Sequence, residues 1–242
     1  FKVYYELMSK RVSEILLISS PYDAFIMEED GRLAERIIHE YRGLNLSRPP
    51  RLTWVSTAQE AFRTLSERKF DLVITMPRLD DMDSYVFARK IKEKFQIPVF
   101  LLTHSTVSLL INEKYSDRSF IDRIFVWYGN TDILLAMIKS VEDCMNVIND
   151  TMVARVRVII MVEDSPWYCS SILPLLYKEI VTQTNAVMEE SVNEEHRILR
   201  MRARPKILLA ENFEDAENLY RRFKPYVLSV LSDVRFPKDG KI

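Results

Sequence analysis

Short apolar runs alternate with amphipathic segments along the whole chain, and this alternation narrows the possible folds more than any other feature. Glu14 to Ser19 (EILLIS), Arg51 to Ser56 (RLTWVS), Asp71 to Thr75 (DLVIT), Pro98 to Thr103 (PVFLLT) and Ile121 to Val126 (IDRIFV) are short, apolar and rich in β-branched residues. They read as buried strands. Between them, Tyr22 to Tyr41 carries Phe25, Ile26, Leu33, Ile37 and Ile38 at helical spacing. Thr57 opens a helix to Arg68 with Glu60 completing a capping box. Ser84 to Phe95 is amphipathic, and Thr131 to about Asn149 reads as a last helix. Five strands alternating with helices predict a parallel, doubly wound α/β sheet.

The pattern then restarts. Arg157 to Val162 (RVIIMV), Lys206 to Ala210 (KILLA) and Tyr226 to Ser232 (YVLSVLS) read as three more strands. A long helical region, Trp167 to Met201, contains Pro174 and the apolar positions Ile172, Leu175, Leu176, Ile180, Val187 and Leu199. That face suits packing between domains or against a second copy of the chain. Asn212 is placed to cap a helix to Phe223. The expected organisation is a complete five-stranded unit over 1–150 and a partial unit of the same type over 151–242, truncated after its third strand. A local match, Lys69 to Arg78 against Lys224 to Arg235, supports an internal repeat.

Composition removes several function classes. Lys and Arg number 34 against 35 Asp and Glu, a net charge of -1, so no basic stripe argues for nucleic acid. With 4 glycines and no glycine-rich phosphate loop, a nucleotide site of that kind is not expected. Cys144 and Cys169 have no pairing or metal pattern. No apolar run reaches membrane-spanning length, and no signal peptide opens the chain. A cytoplasmic location is therefore expected. The chain opens on Phe1 rather than Met and is expected to be an excerpt.

The chemistry gathers at strand ends. Glu163 and Asp164 follow one apolar run, and Asp233 follows another. If these strands are neighbours, three carboxylates meet at the carboxyl edge of a parallel sheet, where such folds bind ligands. Converging acids suit a hard divalent cation such as Mg2+, and one of them could accept a phosphoryl group. Each acid alone has a plainer reading, as a strand-end residue capping a turn or facing a helix dipole. Asp80, Asp81 and Asp83 read as a solvated loop, and Arg197, Arg200, Arg202, Arg204 and Lys206 as a solvated basic face. His39, His104 and His196 have no ligand spacing.

In Val162-Glu163-Asp164-Ser165 and Asp233-Val-Arg-Phe-Pro-Lys-Asp-Gly240, the second half resembles the receiver domain of response regulators. The resemblance implies a flavodoxin-like fold and a two-component signalling role. It implies Glu163 and Asp164 as the Mg2+-binding pair, Asp233 as phosphoacceptor and third carboxylate ligand, and the backbone carbonyl of Arg235 as a further ligand. Pro237 and Gly240 match the family's turn, one residue shorter here. The family's switch hydroxyl and lysine would lie beyond Ile242. The implied partner is a histidine kinase or phosphotransfer protein, and the chain would regulate a downstream effector without being an enzyme itself.

The first half resembles a receiver in strand order with a degenerate site. Ser19 and Ser20 stand at the acidic-pair positions, Met76 at the phosphoacceptor, Thr103 at the switch hydroxyl and Trp127 at the lysine. Mg2+ is accordingly expected in the second unit only. The stretch Leu199 to Leu209 also resembles the region preceding the catalytic part of phosphoenolpyruvate synthase and pyruvate phosphate dikinase-type bacterial proteins. Two other readings use the same residues: a non-phosphorylated interaction or dimerisation scaffold, and a phosphatase-type hydrolase.

Overall fold

Two parallel sheets account for the strands of the computed structural model, which describes residues 6–31, 33–43, 46, 48–105, 118–187 and 202–238. In chain order the elements begin with β1 (Glu14–Ile18), α1 (Pro21–Gly31), α2 (Leu33–Gly43), β2 (Arg51–Val55), α3 (Ala58–Glu67), β3 (Leu72–Thr75) and α4 (Ser84–Phe95). They continue with β4 (Val99–Thr103), β5 (Arg123–Val126), α5 (Asp132–Ala154), β6 (Val158–Val162), α6 (Pro166–Val187), β7 (Lys206–Ala210), α7 (Phe213–Phe223) and β8 (Val227–Ser232). The first sheet has the order β2-β1-β3-β4-β5. That is the flavodoxin-like order, with its switch point between β1 and β3. The second sheet has the order β7-β6-β8, the same arrangement carried only to its third strand among the described residues.

The chain divides into two compact units, but not at residue 150. One comprises Val12–Gly43 and Arg48–Leu135; the other gathers Ala136–Ile242 with Phe1–Arg11 and Leu44–Ser47. Most of α5 therefore belongs with the second sheet. Polar bonds tie the segment Met8 to Lys10 to this same helix. Asp150 on α5 accepts from the Met8 amide at 3.2 and 3.3 Å, and Asn146 accepts from Lys10 N–H and donates to its carbonyl.

In the first unit the central strands β1, β3 and β4 are buried on both faces almost throughout, as apolar runs without alternation require. Leu16, Ile18, Val73 and Val99 join Ala61, Leu65, Phe87 and Ile91 of α3 and α4 in one core. The helix expected over Tyr22 to Tyr41 is two helices, the first ending at Gly31, a residue that favours helix termination. Only part of the expected stripe is inside: Leu33 and Ile37 are buried, whereas Phe25 and Ile38 are exposed.

In the second unit Val158, Ile160 and Val162 of β6 pack with Leu208, Ala210, Val147 and Phe223. The α6 stripe differs from the expected one. A buried line runs through Cys169, Leu173, Tyr177 and Val181 at four-residue spacing, with Ser170 and Pro174 buried beside it, while Ile172 and Leu175 are exposed. Beyond Val187 the expected helix, with Leu199, lies outside the described residues. Asn212 caps α7 as expected, accepting from the Asp215 amide at 2.8 Å.

The second unit also buries charge. Asp143 is fully buried and takes a bidentate bond from Arg204, at 2.7 and 3.0 Å. Its Oδ2 also accepts from the Tyr177 hydroxyl and the Ile207 amide. Lys206 Nζ lies 3.0 Å from Asp150 Oδ2, with both side chains fully buried. Lys139 and Glu142 pair one turn apart on α5. Burial pulls both lysine amines below the ordinary lysine range. Burial also disfavours the Arg204 cation, but the Asp143 carboxylate outweighs it and holds the guanidinium charged. The basic face expected over 197–206 is thus corrected at two positions: Arg204 and Lys206 are internal partners, not solvated charges. Arg197 and Arg200 lie outside the described residues.

Candidate phosphoacceptor and metal site

The strand ends are set by register. Val162, last residue of β6, pairs with Ala210 of β7 and with Ser232 of β8. The β6–β8 ladder shifts register between Val158 and Ile159. Val158 faces Val227 and Ile159 faces Ser229, which leaves Leu228 as a bulge. That shift advances β8 by one residue and brings Asp233 level with the end of β6. The Glu163 amide then donates to the Ala210 carbonyl at 2.9 Å, and the Asp233 amide to the Val162 carbonyl at 3.1 Å.

The consequence is a cluster at the carboxyl edge of the sheet. Glu163, Asp164 and Asp233 each offer a carboxylate oxygen within 4.8 Å of the others. Glu163 is 9% exposed, Asp164 is half-buried and Asp233 is exposed. Glu163 is oriented by the Ser165 amide, which donates to its Oε1 at 3.0 Å. The Asp233 Oδ1 accepts from the Val234 amide. Burial pushes the Glu163 carboxyl above the ordinary carboxylate range; the Ser165 bond opposes this, and the charges of Asp233 and Asp164 add to it. Pro166 opens α6 directly after the acids, so a helix N-terminus adjoins the site. The loop beyond Asp233 folds back onto α7, with the Phe213 amide donating to the Pro237 carbonyl at 3.0 Å. Arg235 lies exposed in that loop.

The first unit repeats the frame without the acids. Ile18 pairs with Val55 and Thr75. The Ser19 amide donates to the Val55 carbonyl at 3.3 Å, and the Met76 amide to the Ile18 carbonyl at 2.9 Å. Ser19 and Met76 thus hold the backbone positions of Glu163 and Asp233. Both are buried, as are Thr103 and Trp127. Ser19 Oγ accepts from Trp54 Nε1, Ser20 Oγ donates to Asp23, and the Thr103 hydroxyl donates to the Ser105 carbonyl. The side chains of this edge are thus spent on internal packing and hydrogen bonds.

Asp80, Asp81 and Asp83 are all exposed, as expected of a solvated loop, and two of them also hold helix ends. Asp81 accepts from the Ala58 and Gln59 amides at 2.8 and 2.9 Å, satisfying the start of α3 from 23 and 22 residues away. Asp83 caps α4 through the Tyr85 and Val86 amides. Glu60 closes its capping box on the Ser56 amide rather than that of Thr57. The pairing of Asp143 with Arg204 has no local signal in the sequence, because its partners lie 61 positions apart.

No family model matches the sequence, and no curated protein matches it. Solved structures do resemble it. The signal receiver domain of an HD domain-containing protein from Pseudomonas fluorescens is 23% identical, over 56% of this chain and 90% of that one, with a TM-score of 0.39. The response regulator protein TrrA from Thermotoga maritima, crystallised in complex with Mg2+-BeF, is 19% identical over 53% and 98%, with a TM-score of 0.42. A two-component response regulator from Clostridium difficile is 21% identical over 55% and 98%, with a TM-score of 0.41. The fold stands on the strand order itself.

Proposed function

We propose that this chain carries a receiver-type phosphoacceptor module, in which Asp233 takes up a phosphoryl group and Glu163 and Asp164 help to hold a divalent cation. The observation that carries this reading is the meeting of three carboxylates within 4.8 Å at the carboxyl edge of β6 and β8. An all-carboxylate, oxygen donor set suits Mg2+. Burial first, and then the charges of Asp233 and Asp164, raise the Glu163 carboxyl, and a cation at this edge would favour its ionised form. The carbonyl of Arg235, two residues past Asp233, is the further donor in this proposal.

Mg2+, when bound, neutralises charge on the phosphoryl oxygens. The remaining work falls to the chain. The Val162 carbonyl fixes the Asp233 backbone, and exposure leaves its carboxylate open to a donor. A carboxylate oxygen of Asp233 forms the new O–P bond as the donor's P–N bond breaks, and the released imidazole takes a proton from solvent. The donor class is a phosphohistidine on a histidine kinase or phosphotransfer protein, and the acceptor state regulates a downstream effector. The chain is in this sense a phosphoacceptor and not a turnover enzyme. The first unit serves as a non-phosphorylated interaction module, because Ser19, Ser20 and Met76 supply no carboxylate.

The test is beryllofluoride binding by the full-length protein in the presence of Mg2+, followed by fluorine NMR. A Mg2+-dependent complex is expected, and Asp233→Asn abolishes it. No complex, or one that Asp233→Asn leaves unchanged, overturns the reading and favours the scaffold alternative.

A further inference from the structure

Helix α5 buries a row of charged and polar side chains beside its apolar core contacts. Lys139, Glu142, Asp143, Asn146 and Asp150 recur at three- and four-residue spacing, which places them on one helical face. All five are buried. The opposite stripe carries Cys144, Ile148 and Met152, all exposed, Met152 to 72%. Val141 and Val147 are buried as well, so the charges are added to an apolar face and do not replace it.

The buried face makes position-specific bonds to three other segments. Asp143 receives Arg204 in a bidentate pair, the Ile207 amide and the Tyr177 hydroxyl. Asp150 receives Lys206 and the Met8 amide, and Asn146 brackets the Lys10 backbone. Apolar contacts tolerate sliding, because one methyl replaces another. These bonds do not: a slip of one turn, about 5.4 Å, would leave Arg204 and Lys206 buried opposite no carboxylate. Buried pairs also cost nearly as much desolvation as they return, so stability is a poor account of why three are present.

We propose that the charges buried on α5 form a register lock, which fixes a single axial placement of this helix on β6 and β7 and of the segment Glu6 to Lys10 along it. Asp143 and Asp150 are the two teeth of the lock.

The test compares two full-length variants by urea unfolding and by amide NMR with hydrogen exchange. Asp143→Asn leaves Arg204 unpaired and is expected to lower the unfolding midpoint sharply. The apolar pair Asp143→Leu with Arg204→Met still leaves the Tyr177 hydroxyl and the Ile207 amide without their acceptor, and is expected to recover most, not all, of the midpoint lost by Asp143→Asn. It should nevertheless lose uniqueness, with multiple or broadened amide signals for Met8 and Lys10 and at least tenfold faster exchange there. One sharp set of signals with parental exchange in the Asp143/Arg204 double variant overturns the lock. So does unfolding of that variant, which would make the charges a source of stability instead.

Discussion

The backbone N–H of Asp233 donates to the carbonyl of Val162 at 3.1 Å, and the N–H of Met76 makes the same bond to Ile18 at 2.9 Å. One backbone frame thus serves both units. What separates a candidate phosphoacceptor edge from a closed, packed one is the side chain placed on it: carboxylates at 163, 164 and 233, against hydroxyls and a thioether at 19, 20 and 76.

Removing a carboxylate tests the cation site directly. Glu163→Gln, Asp164→Asn and Asp233→Asn are each expected to weaken Mg2+ binding by at least ~10-fold, measured by isothermal titration calorimetry. Asp80→Asn, in the first unit, leaves it unchanged. For the unsubstituted chain, Mg2+ at ten times its Kd raises folding stability by about 1.4 kcal/mol.

The raised Glu163 carboxyl gives a signed pH dependence. Its folded state holds a proton more tightly than its unfolded state, so in the window above the ordinary carboxylate value the native chain binds more protons. Without cation, the Glu163 contribution to stability is present below that window and falls as pH rises through the raised value. Glu163→Gln removes this dependence. Mg2+ competes with the proton, so its affinity rises over the same window. Urea midpoints across pH, with and without Mg2+, check both statements.

Arg204→Lys keeps the charge beside Asp143 but loses the two-pronged geometry and the guanidinium 5.3 Å from the Tyr177 ring centroid. The loss is expected to be about 1–3 kcal/mol, because one of the two bonds to the buried Asp143 carboxylate goes unmade. Denaturant unfolding measures it, and Mg2+ affinity should not change.

The acidic loop of the first unit works through helix ends. Asp83→Ala removes the α4 cap and costs about 1 kcal/mol, and Asp81→Ala costs a similar amount at the start of α3. Asp80→Ala, for which no such bond is seen among the described residues, should be close to neutral. Thermal unfolding distinguishes these from a shared cation site, in which all three would respond to Mg2+.

Much of this could be read along the chain. Strands announce themselves locally, because a residue run buried on both sheet faces must be apolar throughout. All eight expected strands form, and the strand-end acids fall where the pattern of apolar runs ends. The caps at Thr57 and Asn212 are equally local. Other features exist only in the folded chain. The convergence of Asp233 with Glu163 depends on β8 lying beside β6 and on the bulge at Leu228. The capping of α3 by Asp81 spans a strand and a turn. The burial of Arg204 and Lys206 reverses what their basic neighbourhood suggests, since a charge is internal only where a distant partner meets it. The sequence by itself determined which segments are strands and where the carboxylates stand along them. Tertiary structure alone decided which charges face water and which face each other, because electrostatic pairing is settled by distance in space and not along the chain.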